Sequence, residues 1–287
     1  TVMNVNHLPD FILKKLLKVI KSILPVHSIY LIAIRSHQLN SFYHFDNLET
    51  IESKDYFEIT LIIICNSYVK DPKEFMEKVF SKMNKKVRLY SIHYTYNEIT
   101  TRLSEGDNFL SQTLLSENVI FQEKTLVVTR YIKHPIMYKR IKKAWESRIR
   151  KAEYLISKLD TGEDISCEAA KLVLVHEAIS QVCASLLWIY WEYKPSYFDL
   201  NYMVRLCQNF SRSTEIVLPK ESFRSKRIYN AICHAQYNLN YKSENDISIE
   251  DGYGAHKLAY LFLEKSREEG KKRLSQLKKL HHIKETQ

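Results

Sequence analysis

The stretch "DYFEITLIIIC" (55–65) carries two carboxylates, Asp55 and Glu58, just ahead of an unbroken apolar run. Two carboxylates on one face of a strand can clamp magnesium between a nucleotide and a nucleophile. Side chains alternate across a strand, so Tyr56, Glu58 and Thr60 share one face while Asp55, Phe57 and Ile59 share the other. Asp55 and Glu58 are therefore expected to point apart. A single Glu58 beside a tyrosine is a poor magnesium site, and the expectation for it is an edge carboxylate in water or paired with a lysine. All five glycines (Gly106, Gly162, Gly252, Gly254, Gly270) lie beyond residue 105, so the first hundred residues hold no glycine-rich phosphate loop. "HEAIS" (176–180) opens like a zinc-protease motif but has Ser180 where the second histidine belongs, which leaves His176 as a core histidine.

The net charge of +10 is unevenly placed. Up to residue 125 there are 15 basic residues against 14 acidic ones, and beyond it 28 against 19. Residues 130–151 hold nine basic side chains and Glu146 as the one acid, and eight more basic residues lie from Lys265 onward. Such density attracts polyanions, although a solvated lysine face is just as common; Arg140, Lys142, Lys143, Arg148, Arg150 and Lys151 are the candidate binding residues. The aromatic cluster Trp188, Tyr190, Trp191, Tyr193, Tyr197 and Phe198 could stack on bases, but at helical spacing such residues more often form core or a dimer interface. Five cysteines without CxxC or CxH spacing read as reduced core residues of a cytoplasmic protein. "KLVLVHEAISQVCASLLWIYW" is interrupted by His176, Glu177 and Gln181, so it reads as a buried helix rather than a membrane span.

The elements that must position these residues change character along the chain. "DFILKKLLKVIKSIL" places Phe11, Leu13 (or Ile12), Leu16, Leu17, Ile20 and Ile23 on one stripe of a helix capped by Asp10. "SIYLIAI" reads as a strand, 36–54 as a polar stretch without period, and 55–65 as a second strand. "DPKEFMEKVFSKM" forms a helix with Pro72 in its first turn, and "KKVRLYSIHYTY" a third strand. Beyond residue 135 only helical periods remain. Tyr138, Ile141, Trp145, Ile149, Ala152, Ile156 and Leu159 recur at three and four in one long helix with a wet, positive side. "TGEDIS" is a capped break. Helices are expected at 167–191, 199–210, 224–241 and 253–277, a bundle of about five, with His281 and His282 in a disordered basic tail. The fold class is α+β in two domains, 1–128 and 129–287.

These segments resemble proteins that fuse a nucleotidyltransferase-like domain to a HEPN helical bundle. "VHEAISQVCASLLWIYWEYKP" is similar to that family's central helix with its Tyr-Lys-Pro exit (Tyr193, Lys194, Pro195). "AQYNLNY" (235–241) is similar to the Ala-Arg-Tyr segment before its last helix. "LPDFILKKLLKVIKSILPVHSIYLI" and "EGDNFLSQTLLSENVIFQE" resemble the opening and closing segments of the first domain. The resemblance covers nearly the whole chain, in pattern more than in identical residues. It implies a mixed sheet in an N-terminal nucleotidyltransferase-like domain and an all-α HEPN-type bundle after it.

Active members of that family carry Gly-Ser at the end of one strand and Asp-x-Asp on the next. Ala33 and Ile34 stand at the first pair of positions, Tyr56 and Glu58 at the second, and "KVRLYSIHYTY" lacks the further carboxylate. The resemblance thus implies a pseudoenzyme domain with Glu58 as a vestige. No cofactor is expected, and magnesium and a nucleotide would enter only with residual activity. Ribonuclease members of the HEPN superfamily use Arg-x4-6-His on a helix at a dimer interface, and Arg227 and His234 fit that spacing. Gln236, however, replaces the arginine of Ala-Arg-Tyr, and Phe198 stands where many members have histidine. The expected function is non-catalytic recognition of a nucleotide, a nucleic acid or a protein, with RNA or another polyanion as partner, by a cytoplasmic homodimer that engages no membrane. The alternative is a metal-independent, toxin-type ribonuclease restrained by its N-terminal domain.

Overall fold

The computed structural model describes residues 8–41, 52–126, 137–160, 167–218, 222–243 and 246–285. The chain divides into two compact units, Thr1–Lys133 and His134–Gln287. The boundary expected after residue 128 lies outside the described residues, as does the "TGEDIS" break.

The first unit opens with α1 (Asp10–Ile23), which buries Ile12, Leu16 and Ile20 one turn apart. Leu13, Leu17 and Ile23 pack against the same core, so the expected apolar stripe holds except at Phe11. Ile12 faces in, while Phe11 is 72 % exposed. Asp10 does not cap the helix. Pro9 does, its carbonyl accepting from the Ile12 amide at 2.9 Å, and Asp10 sits in the first turn against the positive end of the helix dipole.

The strands β1 (Val26–Ser41) and β2 (Glu52–Cys65) pair antiparallel from Val26 opposite Cys65 to Ser41 opposite Glu52. Residues 36–41 and 52–54, expected as loop, are thus strand. Main-chain pairing extends the hairpin through polar residues whose side-chain pattern carries no period. The helix α2 (Pro72–Lys82) starts where Asp71 accepts from the Glu74 amide at 2.8 Å, with Pro72 at its first position. It leads into β3 (Val87–Thr95), which pairs parallel with β2. Two short helices, α3 (Tyr96–Ser104) and α4 (Asn108–Thr113), precede β4 (Val119–Gln122) on the far edge of β1. The sheet is mixed, in the order β3-β2-β1-β4.

Both sheet faces are covered. Phe57, Ile59, Leu61 and Ile63 of β2 join Leu16 and Ile20 of α1 and Phe75 and Val79 of α2 in one core. Ile62, Ile64, Tyr90, Ile92 and Tyr94 are buried on the other face, where the Arg102 guanidinium of α3 lies 5.3 Å over the Tyr94 ring.

The second unit is mostly helical, and no strand occurs among its described residues. The helices α5 (Met137–Asp160), α6 (Glu168–Trp191) and α11 (Ile249–Glu285) pack on one another; α7 (Leu200–Cys207), α8 (Arg212–Val217), α9 (Phe223–Cys233) and α10 (Ala235–Tyr241) fill in around them. Among the described residues seven helices therefore stand where about five were expected. The expected stripe of α5 is buried at Ile141, Trp145, Ile149, Ala152 and Ile156. The segment 224–241 is two helices broken at His234. The Asn238 amide group donates to the Ala231 carbonyl at 3.0 Å, so a side chain occupies an acceptor of the main-chain ladder, while the Asn230 carbonyl keeps its bond from the His234 amide at 3.0 Å. Helix α11 continues through the expected disordered tail to Glu285.

The helix α6 is long and apolar enough to cross a membrane, and 67 % of its most apolar window is buried inside the protein. None of the five cysteines forms a disulfide. Near the end of α6, Glu269 of α11 accepts from the Tyr190 hydroxyl at 3.0 Å, the Ser211 hydroxyl at 2.9 Å and the Ser213 amide at 3.0 Å, which ties α6, α8 and α11 together.

Candidate functional site

Three places in the fold hold the residues singled out from the sequence. The first is the sheet position of Glu58. It is not at an edge and not in water: β2 lies between β1 and β3, and Glu58 is 6 % exposed. In register it stands between Arg35 of β1 and Arg88 of β3, and the Tyr90 hydroxyl is 3.5 Å from its carboxylate. The Arg88 guanidinium lies 4.3 Å over the Phe80 ring. Ala33 is opposite Thr60, beside Glu58. The positions that would supply a phosphate-contacting backbone and two carboxylates are thus adjacent but occupied by Ala33, Ile34, Tyr56 and Glu58. Asp55 is in β2 opposite Gln38, and its side chain is outside the described residues. With Tyr56 and Thr60 as its neighbours on the same face of β2, Glu58 lacks the second acid that a two-metal clamp needs. Among the described residues no group of three or more His, Cys, Asp or Glu is placed to hold a metal ion.

The second place is a groove of about 610 Å³ between α9, α10 and α11, which Arg227 and His234 both line. Arg227 donates from Nη2 to Asp251 at 2.7 Å, an ion pair that raises its pKa. His234 is the residue at which α9 ends, so the two do not lie on one continuous helix face as the spacing suggests. His176 points elsewhere. Its Nδ1 is 2.9 Å from the Ile232 carbonyl, which makes it a packing residue between α6 and α9.

The third place is the outer face of α5. Its acids Glu146, Glu153 and Asp160 recur every seven residues and therefore share one side of the helix. Each has a partner: Glu146 pairs with Lys142 at 3.7 Å, Glu153 with Arg267, and Asp160 meets the His256 Nε2 at 3.2 Å. Arg267 and His256 both belong to α11, so most of the acidic side is consumed inside the unit. Arg148 is also turned inward, donating from Nη1 to Oε1 of Gln181 on α6 at 3.0 Å. Burial lowers its pKa. Of the six expected binding residues, Arg140, Lys143, Arg150 and Lys151 remain exposed with no carboxylate partner among the described residues, while Lys142 and Arg148 are engaged.

Beside these cations the surface is concave. A pocket of about 490 Å³ between α5 and α6 is lined by Ser147, Arg150, Lys151, Tyr154, Leu155 and Gln181. Tyr154 is 63 % exposed, and the Lys158 ammonium sits 5.2 Å from its ring centre. Tyr154 escaped the sequence reading because it interrupts no period. The signal that could have found it is an aromatic residue on the basic side of an amphipathic helix. Of the aromatic cluster at 188–198, Tyr190 stacks on Phe210 at 4.8 Å, Trp191 meets the same ring edge-on, Tyr197 packs on Tyr202 and Tyr193 is buried, whereas Phe198 is exposed.

Fold and site define a two-unit α+β protein, a mixed sheet unit followed by a helical unit with a cationic outer helix. No family model matches the chain, and no curated protein matches it either.

Proposed function

We propose that the protein is a non-catalytic nucleic-acid-binding protein whose helical unit engages the phosphate backbone along α5. The observation that carries this reading is the row Arg140, Lys143, Arg150 and Lys151, cations left without carboxylate partners among the described residues while the acids of the same helix are paired. The row is about 17 Å long at the rise of an α-helix, enough to follow several phosphates. In this reading the first unit is a nucleotidyltransferase-like domain without its catalytic parts, and the second a HEPN-type bundle. The adjacency of Ala33, Ile34, Tyr56 and Glu58 at the family's motif positions supports it. Homodimerisation through the bundle is supported by the exposed aromatic residues Phe223, Tyr241 and Tyr253 on its surface, and sedimentation velocity tests it.

The test of binding is fluorescence anisotropy with labelled RNA and DNA at several salt concentrations. Four phosphate contacts predict a slope of log K against log salt of roughly −3. Absence of salt-dependent binding at low ionic strength would sink the reading.

A second reading, a metal-independent ribonuclease, is favoured by one observation: Arg227 and His234 line the same groove. It predicts cleavage of total RNA by the full chain in the presence of a chelator, abolished in His234→Ala. Intact RNA, or equal cleavage by His234→Ala, rules it out.

A further inference from the structure

We infer that the pocket between α5 and α6 receives an unpaired base, so that the nucleic acid bound along α5 is single-stranded; the inference rests on the nucleic-acid reading above. Tyr154 is the reason. It lies on the outer face of a helix whose inward apolar residues are 6 % exposed or less, yet its own ring is 63 % exposed within a concavity. The Lys158 ammonium over the ring occupies one of its two faces and leaves the other for a planar partner. Arg150 and Lys151 line the pocket one turn back along the helix, where the phosphates flanking a stacked base would run.

The polar groups around the ring fit the edge of a base. Gln181 accepts from Arg148 through its amide oxygen, and arginine can only donate, so the end of Gln181 that remains for a ligand is its NH₂ group. Ser147 adds a hydroxyl that donates or accepts. A duplex offers the tyrosine no free base face, because its bases are stacked on one another and extruding one costs a few kcal/mol. A single strand reaches the tyrosine without that cost. Charge selects the same occupant, since no acidic side chain lines the pocket.

The experiment is anisotropy of the full chain with a labelled single strand of roughly 12 nucleotides and with the duplex of the same sequence. Wild type is compared with Tyr154→Ala, Tyr154→Phe and the double variant Arg150→Ala/Lys151→Ala, after thermal melts establish that each folds. Stacking on one aromatic residue predicts that Tyr154→Ala weakens single-strand binding about fivefold or more with an unchanged salt slope. Duplex binding should stay within about twofold, and Tyr154→Phe should bind like wild type because the ring is kept. The double variant should weaken both nucleic acids and reduce the salt slope by about 2. Salt-dependent binding that is indifferent to Tyr154→Ala, or a duplex weakened as much as the single strand, overturns the inference and leaves the cationic-face reading standing. No salt-dependent binding to either overturns both.

Discussion

Arg148 donates to Gln181 at 3.0 Å across the α5–α6 contact, whereas Arg150, two residues on, faces outward with no carboxylate among the described residues. Two arginines of one basic run thus do different work. Arg148→Ala removes a partly buried charge-assisted bond and should lower stability by about 1–2 kcal/mol, with no change in the salt slope of nucleic-acid binding. Arg150→Ala should leave stability within about 0.5 kcal/mol and reduce the slope by about 1. Urea melts and anisotropy titrations on the two variants, side by side, check both halves.

Glu58 gives the opposite kind of prediction. It is buried between the register positions of Arg35 and Arg88, with the Tyr90 hydroxyl beside it. Glu58→Ala empties a buried site and removes an acceptor of the Tyr90 hydroxyl, so it should lower stability by about 1–3 kcal/mol. Affinity for nucleic acid should not move. Incubation with labelled nucleoside triphosphates and magnesium should transfer no label with either the wild type or Glu58→Gln.

Acid should destabilise the first unit through His93. Its ring packs edge-on against Phe75 at 5.1 Å, Nε2 lies 2.7 Å from the Ser91 hydroxyl, and Nδ1 is buried with no hydrogen-bond partner. Burial lowers its pKa from 6.5 to about 4. The unfolded chain therefore binds a proton that the folded one refuses. The stabilisation from this residue is present above pH 6.5 and is lost as the pH falls from there toward 4, a loss of up to about 3 kcal/mol. His93→Gln, which keeps a hydrogen-bonding group without a titrating one, should flatten that limb of a pH series of urea midpoints.

At Gly270 the backbone of α11 passes against the Trp145 ring of α5. A Cβ there would stand 2.6 Å from the Trp145 ring. Helix propensity alone favours Gly270→Ala by about 1 kcal/mol, and overpacking opposes it by about 1–3 kcal/mol. We expect the clash to win, because Trp145 is a buried, rigid ring with little room to yield. The melting temperature of Gly270→Ala should fall, and Trp145→Phe in the same chain should recover part of the loss.

Much of this protein was legible along the chain, for identifiable reasons. Helix α5 could be drawn from Ile141, Trp145, Ile149, Ala152 and Ile156, since spacing of three and four puts residues on one face whatever they pack against. The continuation of β1 and β2 through polar residues could not, because strand pairing there is carried by main-chain groups that every residue has. The break at His234 depended on Asn238 reaching back to the Ala231 carbonyl, a choice between two acceptable hydrogen bonds that composition does not decide.

By itself the sequence determined which residue types the first unit can offer. A missing glycine or carboxylate is missing in any fold, so no glycine-rich loop can form within the first 105 residues and no acid stands on β3. It also determined that positive charge would be concentrated on α5. Only the tertiary structure decided which of those charges stay exposed. Glu153 and Asp160 find Arg267 and His256 on a helix far along the chain, and Arg148 finds Gln181. Periodicity says which residues share a face, whereas the partner of that face is set by packing, and the pocket at Tyr154 exists only because α6 supplies its wall.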